Sequence, residues 1–155
     1  MDKPKTKNSN AYLEAKVLTA SPEQLQLMLY DGAIRFCEQA RLAIQKNKIE
    51  ESFNLITKAE KIVLEMLNSL RDEFAPDTCA NMRRLYVFCY DRLIEANLKK
   101  IPKPLDEALD ILRPMRETWI LLIDKLKEEK TNPLPSTPDP KSDDPLLGTT
   151  VSLEG

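Results

Sequence analysis

Apolar residues recur at helical spacing through most of this chain. From Pro22 to about Lys46 the positions Leu25, Met28, Leu29, Phe36, Ala40 and Ile44 fall on one face, and Leu27, Tyr30, Ile34 and Cys37 widen it. Asn47 and Lys48 interrupt the pattern. It resumes at Ile49, Phe53, Ile56, Ala59, Val63, Met66 and Leu70, the most regular period in the sequence, with extras at Leu55 and Ile62. Arg71 to Asp77 breaks it again, and Pro76 followed by Asp77 supplies a plausible start for a third helix from about Thr78 to Lys99. That helix presents Met82, Leu85, Tyr86, Cys89, Leu93 and Ala96. Pro102 and Pro104 punctuate the next turn. Leu105, Leu109, Leu112, Met115, Trp119, Leu122 and Leu126 then predict a fourth helix.

The first of these helices has a clear beginning. Ser21 is placed to accept from first-turn amides, Pro22 loses nothing at the first helical position, and Gln24 occupies the capping-box site. Before it, Asn10–Thr19 carries Tyr12, Leu13, Val17 and Leu18, enough for one or two helical turns docked on a larger body. Pro114, inside the fourth helix, removes a donor and crowds the preceding turn, so a kink or break is expected near Arg113. Four helices of comparable length with short connections predict an all-α fold, an antiparallel up-and-down four-helix bundle.

The ends read differently. Residues 1–9 are polar and predict a disordered N-terminus, with no apolar run behind them and so no signal peptide or targeting helix. The bundle is expected over residues 10–130. From 131 to 155 the chain holds five of its eleven prolines (Pro133, Pro135, Pro138, Pro140 and Pro145) among Ser, Thr and Asp, which predicts a disordered tail. Only three glycines occur in 155 residues, too few for the turns of most β-rich domains. No stretch approaches the roughly 18 uninterrupted apolar residues of a membrane span.

Composition closes off most chemistry. There is no histidine, which removes the commonest general base, the usual catalytic triads and most zinc sites. No CxxC, GxGxxG or GxxxxGK[ST] motif is present. Cys37, Cys79 and Cys89 are widely spaced within apolar patterns and read as buried, reduced thiols. Acidic residues alternate with lysines, as at Glu60–Lys61, in the manner of solvated helix faces. A net charge of −2 and isolated basic doublets at Arg83–Arg84 and Lys99–Lys100 give no footprint for nucleic acid. No enzyme activity, cofactor or metal is expected. What remains is apolar excess on the first two long helices, which fits either scattered exposed leucines or a groove open to an apolar peptide.

One tract narrows this choice. YLEAKVLTASPEQLQLMLYDGAIRF, from Tyr12 to Phe36, resembles the opening of the flagellar secretion chaperone (FliS) family. Ile56–Ile62, Leu67–Leu70, Arg92–Asn97 and Arg116–Trp119 are similar to its later segments, so the resemblance spans about Asn10 to Leu126. It implies a cytoplasmic bundle, without cofactor, that binds the C-terminal segment of newly made flagellin. Such binding prevents premature polymerisation and aids export through the flagellar type III apparatus. Export-gate components or a co-chaperone are further partners it suggests; nucleic acid and membrane insertion are not. The competing expectation is a structural module whose apolar surface closes a homodimer.

The resemblance also nominates residues. Tyr12, Leu13, Val17 and Leu18 match an N-terminal segment that covers part of the groove and is displaced by flagellin. Leu25, Met28 and Leu29 are core or groove. Tyr86 and Tyr90, an i,i+4 pair, are expected to present aromatic faces, with Leu93, Ile94 and Asn97 continuing the same helix. Asn97 suits either a partner's backbone or the end of its own helix. Gly32 is expected to permit close helix approach, and Trp119 to anchor the core. Two departures stand out: Glu73–Asp77 lacks the family's glycine-rich turn, and Pro114 replaces an ordinary helix former.

Overall fold

A computed structural model of the chain describes residues 3–131, with side chains from Ser9 onward. Among these residues the chain forms five helices and no strand: α1 (Lys3–Thr19), α2 (Pro22–Gln45), α3 (Ile49–Asn68), α4 (Pro76–Lys99) and α5 (Lys103–Thr131). The chain through Ile123 forms one compact unit, which holds the core. The last turns of α5, from Asp124, belong to a second, where the Thr131 hydroxyl donates back to the Lys127 carbonyl at 3.1 Å. The expected disordered tail lies, from residue 132 on, outside the described residues.

Local signals explain the helix ends. Ser21 Oγ accepts from the Gln24 amide at 3.2 Å while the Ser21 amide donates to Gln24 Oε1 at 3.0 Å, a complete capping box. Helix α2 stops because Asn47 adopts a left-handed backbone (φ 57°). The Lys48 amide then reaches the Ala43 carbonyl at 2.8 Å and the Asn47 amide reaches Ile44 at 3.0 Å, a Schellman motif. Helix α4 begins two residues earlier than the pattern suggests, at Pro76, which has no amide to lose; Asp77 lies in its first turn and interacts favourably with the positive end of the helix dipole rather than capping it. The preceding loop is tied down without glycine: Cys79 Sγ donates to the Arg71 carbonyl at 3.2 Å, and Arg83 pairs with Asp72 at 2.7 Å.

The order of contacts establishes the topology. Going up α2, residues Glu23, Asp31, Glu38 and Arg41 meet Trp119, Arg116, Arg113 and Asp106 in descending order on α5. Gly32 and Phe36 of α2 meet Ile62 and Lys58 of α3 in the same inverse sense. Cys89 and Arg92 of α4 likewise face Ala108 and Glu107 of α5. Helices α2–α5 therefore run up and down around one core, with α2 and α4 on a diagonal. Small residues let the helices close in. Ala33, Ala40, Ala59, Ala96 and Ala108 are fully buried, and a Cβ on Gly32 would stand 3.1 Å from Ile62 Cδ1.

The diagonal carries a buried polar contact. Tyr30 and Tyr86 bring their hydroxyls to 2.5 Å with both rings inside the core, and Gln26 donates to Tyr86 Oη at 3.3 Å. Each hydroxyl thereby meets a partner in a place where an unpaired one costs about 1–3 kcal/mol. Burial pushes both phenols above their ordinary range.

Three expectations are corrected here. The N-terminal helix covers residues 3–9, assigned from the sequence to a disordered stretch, and is longer than one or two turns. Its apolar residues are not docked: Tyr12, Leu13, Val17 and Leu18 are all exposed, Leu18 by 84%. And α5 passes through Pro114 unbroken. Pro114 and the Asp110 whose carbonyl it cannot engage are both exposed, so water can serve the carbonyl that the ring deprives of a partner.

Candidate functional site

Between α3 and α4 the bundle leaves an open groove of about 670 Å³. Helix α3 lines it with Ile49, Glu50, Phe53 and Glu60; α4 and its cap contribute Ile94, Asn97, Leu98 and Lys100. Three of these are large apolar side chains left substantially in water: Leu98 is 81% exposed, Ile49 64% and Phe53 51%. Local geometry explains their exposure. Lys100 turns left-handed (φ 55°) and ends α4, its amide bonding the Ala96 carbonyl at 2.9 Å, so α4 no longer covers the first turns of α3.

Polar groups are few and held in place. Lys100 Nζ donates to Asn97 Oδ1 at 2.6 Å and lies 5.5 Å from the centre of the Phe53 ring, within cation–π range. Burial lowers the Lys100 ammonium from its ordinary pKa, with nearby Glu60 opposing the shift. Burial raises the Glu60 carboxyl, with the Asn97 amide and Lys100 drawing it back. A charge in a partly dry site favours a partner that brings it an acceptor.

The seam on the other side of the bundle is built differently. Between α2 and α5 a second groove of about 450 Å³ is lined by Glu38, Arg41, Leu42, Asp106, Leu109, Asp110 and Arg113. Here the charges pair across the helices, Arg41 with Asp106 at 2.7 Å and Arg113 with Glu38 at 2.9 Å, followed by Arg116 with Asp31. The Trp119 indole completes the seam by donating to the Glu23 carbonyl at 2.8 Å, which makes Trp119 a tie between α5 and the start of α2.

Of the residues nominated from sequence, Ile94 and Asn97 line the apolar groove. Asn97 Oδ1 accepts from the Lys100 ammonium, a side-chain contact beside the helix end rather than a backbone cap, while its side chain lines the groove. Tyr86 and Leu93 are corrections: both are fully buried, Tyr86 because its hydroxyl is claimed by Tyr30. Tyr90 is half-buried and packs against the core, as does Leu29; Leu25 and Met28 are half-buried on α2. The exposed Tyr12, Leu13, Val17 and Leu18 stand on α1 and are not among the residues that line the groove. Sequence reasoning missed Ile49, Glu50, Phe53, Glu60, Leu98 and Lys100. Leu98 carried a signal, since it is apolar yet off the phase set by Tyr86, Cys89, Leu93 and Ala96.

Nothing in the site suits catalysis. The thiols of Cys37 and Cys89 are pushed up to about 12 by burial, so neither is a nucleophile at neutral pH. Among the described residues no group of three His, Cys, Asp or Glu could hold a metal ion, and no helix is long and apolar enough to cross a membrane.

Fold and groove together define an all-α bundle whose chemistry resides in an exposed apolar surface. The family model of flagellar protein FliS matches residues 5–126. The flagellar secretion chaperone FliS of Bacillus subtilis is 30% identical over 120 residues, covering 77% of this chain and 89% of that protein. FliSB of Pseudomonas aeruginosa is 33% identical over 107 residues, covering 69% and 85%. A crystal structure of a flagellar chaperone from bacteria superposes with a TM-score of 0.64 at 16% identity, covering 79% of this chain and 99% of the other, a likeness of fold. The chain belongs to the FliS family, a family of chaperones rather than enzymes.

Proposed function

We propose that this protein is a cytoplasmic export chaperone that binds the C-terminal segment of flagellin, with the α3/α4 groove as a principal contact surface. By covering the apolar face of that segment it keeps flagellin from polymerising early and helps deliver it to the flagellar type III apparatus. The observation that carries this reading is the set Ile49, Phe53 and Leu98, large apolar side chains held in water around an open groove. An amphipathic segment that becomes helical on binding would bury them, as in helix-in-groove recognition. The relatives' names as flagellar secretion chaperones support it.

Isothermal titration against a peptide of the same organism's flagellin C-terminus tests it. Saturable heat at micromolar concentrations is expected, together with its loss in a Phe53→Ser, Leu98→Ser variant that keeps its helical circular dichroism. A folded protein that gives no heat with the correct peptide sinks the proposal. Should the surface instead close a homodimer, sedimentation would show a concentration-dependent dimer that the peptide leaves intact.

A further inference from the structure

In the α3/α4 groove the usual order of burial is inverted. Glu60, Asn97 and Lys100 are half-buried, while Ile49, Phe53 and Leu98, in the same lining, stand exposed. A contact surface ordinarily places apolar side chains at its centre and charges on its rim. Here the three polar groups form one cluster. Asn97 Oδ1 accepts from Lys100 Nζ at 2.6 Å, and the Asn97 amide and the Lys100 charge draw the Glu60 carboxyl back from the rise that burial imposes. The Phe53 ring, its centre 5.5 Å from Nζ, ties the cluster to the apolar set.

A helix laid over this lining takes water away from the cluster. An ammonium has three donors, of which Asn97 takes one, and a carboxylate accepts from several directions. The two charges offset one another in part, but the capacity that the open groove leaves to water is stranded beneath an apolar face. The backbone of the incoming helix cannot help, since its mid-helix amides and carbonyls are already paired. A charged side chain would suit one member of the cluster and repel the other. A hydroxyl or carboxamide both donates and accepts, so a single neutral side chain can serve Lys100 and Glu60 at once. We propose that Glu60, Asn97 and Lys100 are selectivity residues: the groove favours a helical segment whose apolar face is interrupted by one Ser, Thr, Asn or Gln side chain, and disfavours a face that is apolar throughout. This rests on the groove being the surface that binds flagellin.

Two titrations test it. Glu60→Met with Lys100→Met removes both charges at once and leaves the net charge unchanged. Against a helical peptide of leucine and lysine, its apolar face all leucine, this variant should bind about tenfold more tightly than the native protein. Its affinity for the flagellin C-terminal peptide should not rise, so the preference for flagellin over the leucine-faced peptide falls. An unchanged preference in a variant with native helical circular dichroism overturns the proposal. The second titration uses the native protein. Replacing each Ser, Thr, Asn and Gln of the flagellin peptide singly by Ala should expose one position whose loss weakens binding about tenfold. Uniformly small effects overturn the proposal while leaving binding in this groove intact. If the unaltered flagellin peptide does not bind the native protein, this inference falls together with the reading on which it rests.

Discussion

The two long seams of this bundle solve the same packing problem in opposite ways. Where α2 meets α5, charges of opposite sign answer one another across the contact, from Arg41–Asp106 through Glu38–Arg113 to Asp31–Arg116. Where α3 meets α4, α4 ends at Lys100 and leaves Ile49, Phe53 and Leu98 in water. The first seam has its partners within the chain. The second leaves these side chains without partners among the described residues, and a contiguous apolar surface held in water is where an interaction is sought.

The contrast can be broken most severely from beneath the closed seam. Leu109→Ala, at a fully buried position of α5, should cost about 2–5 kcal/mol in urea unfolding, since the surrounding helices cannot collapse into the space. The open seam should respond in the other currency. Phe53→Ser with Leu98→Ser is expected to shift unfolding by less than about 0.5 kcal/mol per site, yet weaken flagellin peptide at least tenfold; a large loss of stability would mean these side chains support the fold after all. Smaller again is the ion-pair ladder. A double-mutant cycle on Asp31 and Arg116 should return a coupling of up to about 1 kcal/mol, reduced by salt, because both side chains are partly solvated.

The smallest effect lies in the pH dependence of the open seam. Burial raises the Glu60 carboxyl, so the folded state holds this proton more tightly than the unfolded chain does. The favourable contribution is complete below the ordinary carboxylate value and is lost as pH rises through the raised one. Glu60→Gln should therefore remove a slight decline in stability across that mildly acidic window and raise the urea midpoint a little at neutral pH. Lys100, Asn97 and Glu50 are the polar groups sharing that groove, and Lys100→Met should steepen the decline by removing the cation that draws Glu60 down.

How much of this was legible beforehand depends on the length scale of the cause. The capping box at Ser21, the four long helices and the buried period Ile56, Ala59, Val63 and Met66 are local, and the sequence displays them directly. The groove is not local. Ile49 and Phe53 continue the same apolar stripe as Ile56, and only the point at which α4 ends decides that Ile56 is buried and they are not. Tyr86 misled for the converse reason: its i,i+4 relation to Tyr90 suggested a displayed pair, while the hydroxyl that claims it stands 56 positions earlier in the chain. Pro114 promised a kink or break, and no break came, because the ring and the Asp110 carbonyl it leaves without a donor face water.

The tyrosine pair at the centre has a mechanical meaning. Sliding α2 along α4 by a single residue would carry the two oxygens about 1.5 Å out of alignment and leave both hydroxyls stranded in a dry interior. A purely aliphatic core tolerates such slippage, since one leucine fits much like the next. Here the pair acts as a stop that selects one vertical setting of the diagonal helices. The groove inherits that setting: the height along α2 at which α4 ends, at Lys100 beside Ile49 and Phe53, is fixed from inside the core.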